Sequence, residues 1–208
     1  MEGLLESRQH RDHNTNPLII WEPLPGSCNF VNRLTHLQAC RRLNVFSPDH
    51  LELAALLSRP ESGSGCADSR SEIEIRGKQL LDLLDLDTNS SLTIVIRAAE
   101  HGYLVLSQPG QASWLPSFYQ PASSKVVDAT GAGNASLGAL SLELQKTGDV
   151  QEATSFGTTA ARFALEQVGL SVLSSATVGG QEVEMGHGSG FQARVNEYKQ
   201  RFKARVIA

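Results

Sequence analysis

The sequence predicts a three-layer α/β/α sandwich, with helices on both faces of a mostly parallel sheet that turns antiparallel at one edge. Three observations predict it. Short apolar runs bounded by proline or glycine alternate with segments whose apolar residues recur at helical spacing. An early strand, helix, strand succession favours parallel pairing, because a parallel pair cannot be closed by a tight turn. Further along, two extended runs are separated by a short connection that ends in His101-Gly102, short enough to join an antiparallel pair.

The first run, Pro17-Leu-Ile-Ile-Trp-Glu-Pro23, reads as a buried strand that stops where proline removes a ladder donor. From Asn32 to Leu43 the residues Leu34, Leu37, Ala39 and Cys40 suit one face of a helix, and Asn44 to Ser47 reads as the second strand. Ser47 then caps a helix whose first residue is Pro48, with Leu51, Leu53, Ala54, Leu56 and Leu57 as its apolar face. The Ser, Gly and Pro content of 58–71 marks a flexible surface loop. A helix resumes near Ser71 or Glu72 and carries the leucines from Leu80 to Leu86. Leu92 to Ile96 is the next buried strand, and Tyr103 to Ser107 pairs with it.

Between Pro109 and Ser124 only a short extended piece around Trp114 can be placed. Two helices rich in small residues follow, about Gly131 to Lys146 and Val150 to Gln167, with Gly148 and Gly169 as stop signals. The stretch 171–190 is expected to be a Gly-rich loop, and 191–206 an amphipathic C-terminal helix. The domain division is thus a polar tail over 1–16 and one α/β unit over 17–208.

A chain of 208 residues with 40% apolar content has the size of one ordinary domain. Its net charge of −4, with no stripe of Lys and Arg, argues against a nucleic-acid partner. No run approaches the roughly 18 apolar residues of a membrane span, and Met1 to Asn16 lacks the apolar core of a signal peptide. The expected compartment is the cytoplasm. Cys28, Cys40 and Cys66 have no metal-binding spacing and read as free thiols, and His10 and His13 read as part of a solvated tail.

The stretch with chemical content is Val126-Val-Asp-Ala-Thr-Gly-Ala-Gly-Asn-Ala-Ser-Leu-Gly-Ala-Leu140, an extended segment that passes through a glycine-rich turn into a helix. Free N–H groups at a helix start and the positive end of its dipole bind phosphate or a developing oxyanion. Glycines that merely permit close helix packing are the other reading of the same residues.

This stretch resembles the pfkB-family signature D-T-T-G-A-G-D-A-F-x-G-G at Asp128, Thr130, Gly131, Ala132, Gly133, Ala135 and Gly138. Phe46-Ser-Pro-Asp-His-Leu-Glu52 is similar to the family's P-N-x-x-E segment, with Asp49 where asparagine is usual. Ile94 to Gly102 occupies the place of a strand ending in T-x-G-x-x-G, of which only Gly102 matches. Phe156 to Ala164 looks like the alanine-rich helix beside the family's adenine site, and Trp21-Glu22-Pro23 with Ser47-Pro48 looks most like a fungal branch. The resemblance covers roughly Pro17 to Leu170.

The resemblance implies a ribokinase-like fold and ATP-dependent phosphoryl transfer to a sugar or nucleoside hydroxyl. It puts the phosphate site at Gly131, Ala132 and Gly133, and borders the nucleotide pocket with Arg97, Gly102 and Thr158. It gives Glu52, with Asp49, an indirect part in organising Mg²⁺ with ATP, and places Asp128 and Thr130 near a K⁺ site. Asn134 stands at the family's catalytic aspartate. An amide has no lone pair basic enough to accept the acceptor's proton near neutral pH, and losing a general base costs about 10²- to 10⁴-fold. The family's N-terminal portion, with its opening strands, sugar pocket and lid, has no recognisable counterpart here. Losing the positioning of the acceptor should cost more, roughly 7–11 kcal/mol of barrier.

Three functions are therefore open: an ATP-dependent carbohydrate kinase of impaired activity, a nucleotide-binding pseudokinase that acts through a protein partner, and a partial gene product with no function. An uncovered sheet edge would also favour a homo-oligomer or aggregation.

Overall fold

The computed structural model describes residues 17–58, 69–86, 91–107, 111–120, 122–169, 173–186 and 189–206. The expected tail over 1–16, Cys66, and positions 59–68 of the expected 58–71 loop lie outside them.

The main sheet has five strands in chain order, β1 Ile20–Trp21, β2 Val45–Phe46, β3 Thr93–Arg97, β4 Tyr103–Ser107 and β5 Gln111–Leu115. β1 pairs with β2 and β2 with β3 in parallel, at Ile20 to Val45 and Phe46 to Ile94. The helix α1, Arg33–Cys40, supplies the first crossover, and α2, His50–Leu57, with α3, Arg70–Leu84, lies within the second. β3 to β4 and β4 to β5 are antiparallel, so four strands run one way and β4 the other. This is the mixed sheet that the sequence predicts.

Alternation along the strands builds two cores. Phe46, Ile94, Ile96, Leu104 and Leu106 pack with Leu37 and Cys40 of α1, Leu53 and Leu56 of α2, and Ile73, Leu80 and Leu84 of α3. On the other face Val45, Val95, Tyr103, Val105 and Leu115 meet Leu140 and Leu144 of α4, Ala132–Thr147, and Ala153 of α5, Val150–Leu165. Three layers result. Cys28 and Cys40 are free thiols in the first core's cluster, pushed up to about 11 and about 12 by burial, which suits inert structural positions.

Several expectations need correction. Ser47 does not cap α2: the cap is Asp49, which accepts from the Glu52 N–H at 2.7 Å while Glu52 accepts from the Asp49 N–H at 2.6 Å. Pro48 instead prolongs the pairing of β2 with β3, its carbonyl accepting from the Arg97 N–H at 3.0 Å. α3 starts at Arg70, one or two residues earlier than expected, because Ser69 and Glu72 form a second capping box. The expected extended piece around Trp114 is present as β5, paired with β4 from Tyr103–Leu115 to Ser107–Gln111.

The expected loop over 171–190 is overturned at its described residues, 173–186 and 189–190. β6 Leu173–Val178, β7 Gln181–Gly186 and β8 Ser189–Gly190 form a second, antiparallel sheet. Gly179 and Gly180 both have positive φ, +60° and +84°, as a two-residue hairpin turn demands, so these glycines close strands. The last helix, α6, spans Phe191–Val206 and stacks Phe191 against Phe163 of α5 at 5.9 Å.

Candidate phosphate and nucleotide site

Asp128 organises the approach to α4. Its carboxylate accepts from the Thr130 N–H at 3.0 Å and the Thr130 hydroxyl at 2.9 Å, and those hydrogen bonds hold it below the usual carboxylate range. The Val127 N–H donates to the Leu165 carbonyl at 2.7 Å, so the end of α5 anchors the segment ahead of the turn. Gly131 then takes a left-handed conformation, φ +79°, at the N-cap of α4, where no side chain caps the helix. An L-residue there would be strained.

The first-turn N–H groups of an α-helix have no partner inside the helix. Here Ala132 donates to the Ala129 carbonyl at 3.2 Å, while Gly133 and Asn134 have no hydrogen-bond partner among the described residues. With the dipole of a 16-residue helix behind them, these two amides suit an anion.

Beneath the turn lies Arg97, at the end of β3. Its Nη1 is 2.6 Å from Glu22 Oε1, and its Nη2 is 3.4 Å from Glu52 Oε2 and 3.3 Å from the Ser47 carbonyl. A Cβ added to Gly133 would lie 2.5 Å from Nη1, so the guanidinium packs directly against the turn. Glu52 is 4% exposed. Burial raises its carboxyl above the ordinary value, against the Asp49 N–H and Arg97, which favour the charged form.

Two cavities flank Arg97. One of about 660 Å³ is lined by Arg97, Gly102, Ala132, Gly133 and Thr158, with Phe118 and Tyr119 on its wall, and lies within the range of small-ligand sites. The second, about 340 Å³, is lined by Asn134, Glu22, Asp49, Glu52 and Arg97. The residues singled out for nucleotide thus share the larger cavity, and Asn134 faces the smaller with the Asp49–Glu52 pair. Asp128 and Thr130 line neither.

The donor set does not make a metal cage. The Glu52 Oε2 is held by the Asp49 N–H and Arg97, and the Asp49 Oδ1 by the Glu52 N–H. Among the described residues no three His, Cys, Asp or Glu side chains group as metal ligands.

Glu22 is the site residue that sequence reasoning missed. It belongs to the Trp21-Glu22-Pro23 stretch, but nothing local marks it as the partner of a residue 75 positions later; only the β1–β2–β3 pairing brings the two strand ends together. Ala99 is a further departure: it stands where the resembling family pattern has glycine, and its φ is +45°.

A model of the pfkB family of carbohydrate kinases matches residues 6–177, a longer stretch than the motifs delimit. An uncharacterized protein of Schizosaccharomyces pombe is 29% identical over 209 residues, 93% of this chain and 54% of that protein. Among solved structures, a ribokinase from Cryptococcus neoformans in complex with ADP superposes with a TM-score of 0.58 at 18% identity, covering 96% of this chain and 55% of that one. Aminoimidazole riboside kinase from Salmonella enterica, complexed with aminoimidazole riboside and an ATP analog, superposes with a TM-score of 0.58 at 19% identity, over 81% and 51%. These likenesses establish the fold. The chain spans about half the length of each of these relatives.

Proposed function

Because the chain belongs to the pfkB family of carbohydrate kinases, we propose that it binds the phosphates of ATP or ADP at the head of α4 and transfers a phosphoryl group to a sugar or nucleoside hydroxyl only poorly. The observation that carries this reading is the pair of unpartnered amides at Gly133 and Asn134, beside the larger cavity. In this reading the nucleotide fills that cavity between Gly102 and Thr158, with its terminal phosphate on the amides. The acceptor hydroxyl approaches from the side of Asn134. The K⁺ contact of this reading falls to Asp128 and Thr130.

Asn134 limits the chemistry. Its amide holds a hydroxyl by a hydrogen bond but does not take its proton. The amides lose nothing by the exchange of acid for amide, since their N–H groups belong to the backbone, and a neutral side chain repels phosphate less. The same residue favours a second reading, a pseudokinase that binds nucleotide without turnover and acts through a protein partner.

The test is a coupled assay of ATP consumption with ribose and adenosine as acceptors. Turnover by the native chain should be at or near background, and Asn134→Asp should raise it by about 10²-fold or more. Native turnover within tenfold of an ordinary kinase, about 1–100 s⁻¹, would contradict the impairment. Nucleotide binding with no turnover in either form would favour the pseudokinase.

A further inference from the structure

Resting on the phosphate site just described, we propose that Arg97 is the resident cation of that site and takes the phosphate contact that a divalent ion commonly supplies, so that nucleotide binding by this chain does not depend on a divalent metal. The guanidinium stands where such a charge is useful. It borders both cavities and packs against Gly133, one of the two residues whose amides have no partner among the described residues. Arginine is also chemically suited to the task, since its planar fork pairs with phosphate oxygens and never loses its charge near neutral pH.

The guanidinium has donor capacity left. Its Nε is buried with no hydrogen-bond partner among the described residues, although Nη1 and Nη2 are both engaged. The neighbouring carboxylates are engaged in turn: Asp49 and Glu52 cap each other, and Glu22 is held by Arg97. A divalent ion placed among them would lie next to a fixed positive charge and would share carboxylates that Arg97 and the α2 cap already use. No set of three ligands awaits it among the described residues.

Glu22 acts as a placeholder in this arrangement. It is the more exposed of the two acids on Arg97, 24% against 4%, and it meets the Nη1 that touches Gly133. An incoming phosphate replaces Glu22 on Nη1, while Glu52 keeps hold of Nη2. No covalent step is involved. The carboxylate and the phosphate compete for one donor, so removing the carboxylate's charge should strengthen phosphate binding.

Calorimetric titration of the whole chain with ADP and ATP, once in EDTA and once in Mg²⁺, tests this. The native chain should bind with dissociation constants that agree within about threefold in the two buffers, a difference of well under 1 kcal/mol. Arg97→Met should weaken binding in EDTA by about tenfold or more, the loss of one charged hydrogen bond, and Arg97→Lys should recover part of it. Glu22→Gln should tighten binding about threefold, opposite in sign to any structural damage. That variant also carries the test if Arg97→Met does not fold. Binding by the native chain only in Mg²⁺ overturns the inference and leaves the nucleotide reading intact. Unchanged or weaker binding by Glu22→Gln overturns it as well. No binding by the folded chain in either buffer overturns both.

Discussion

At Ala99 a methyl-bearing residue holds a backbone conformation, φ +45°, that glycine adopts freely. Left-handed backbone costs an L-residue about 1–2 kcal/mol, and glycine returns about 0.5–1 kcal/mol of that through its freer unfolded chain. Ala99→Gly should therefore leave the protein slightly more stable, by about 0.5 kcal/mol, in urea unfolding; a loss of stability would show that the methyl makes a compensating contact. Gly102, in the same turn, shows why the backbone here is constrained: at φ +93° an added Cβ would meet the Leu115 carbonyl oxygen at 2.1 Å. Single positions of this kind were legible in the sequence when the family pattern named a glycine. Glu22 was not, because its role depends on a partner brought close only by the folded sheet.

Among the elements, the pair α4 and α5 positions the site, one helix supplying the amides and the other anchoring Val127 and Thr158. Their approach depends on Gly157, where an added Cβ would come within 2.9 Å of the Ser136 hydroxyl and 3.0 Å of its carbonyl oxygen. Gly157→Ala should push the helices apart and cost about 1–3 kcal/mol in urea unfolding. Stability equal to the native protein's would mean that the helices part without strain. Small-residue-rich segments with glycine stop signals predicted both of these helices, and short apolar runs predicted β3 and β4. The second sheet escaped notice because Gly179-Gly180 was read as a loop composition when it is a hairpin turn. The start of α2 was misjudged since proline is favoured at a first helical position, whereas the reciprocal Asp49–Glu52 bonds place the cap two residues beyond Ser47.

Across the whole molecule, the second sheet and α6 are locked to the main body by a charged network that no local pattern announced. Arg162 of α5 donates to Glu166 at 2.8 Å and to Glu197 of α6 at 3.0 Å, Arg194 of α6 reaches Glu166 at 2.8 Å, and Tyr119 donates to Glu166 as well. Burial pushes the Glu166 carboxyl up, but Arg194, Tyr119 and Arg162 together outweigh it and hold it at about 2, below its ordinary 4.5. A depressed carboxyl stabilises the fold above its unfolded value, and that stability is lost as pH falls from 4.5 through about 2. Thermal melts of the native chain should therefore drop more steeply between pH 4.5 and pH 2.5 than those of Glu166→Gln; parallel curves would show that the network is not coupled to folding. The central claim concerns the other end of the molecule, where the turn before α4 is read as a phosphate site. Its most direct measurement is calorimetric titration with ADP of the native chain beside Gly133→Asp, which places a carboxylate at the turn against Arg97, with the variant's fold checked by circular dichroism. The account predicts binding by the native chain and none by a folded Gly133→Asp; equal binding by both would place the nucleotide elsewhere and contradict it.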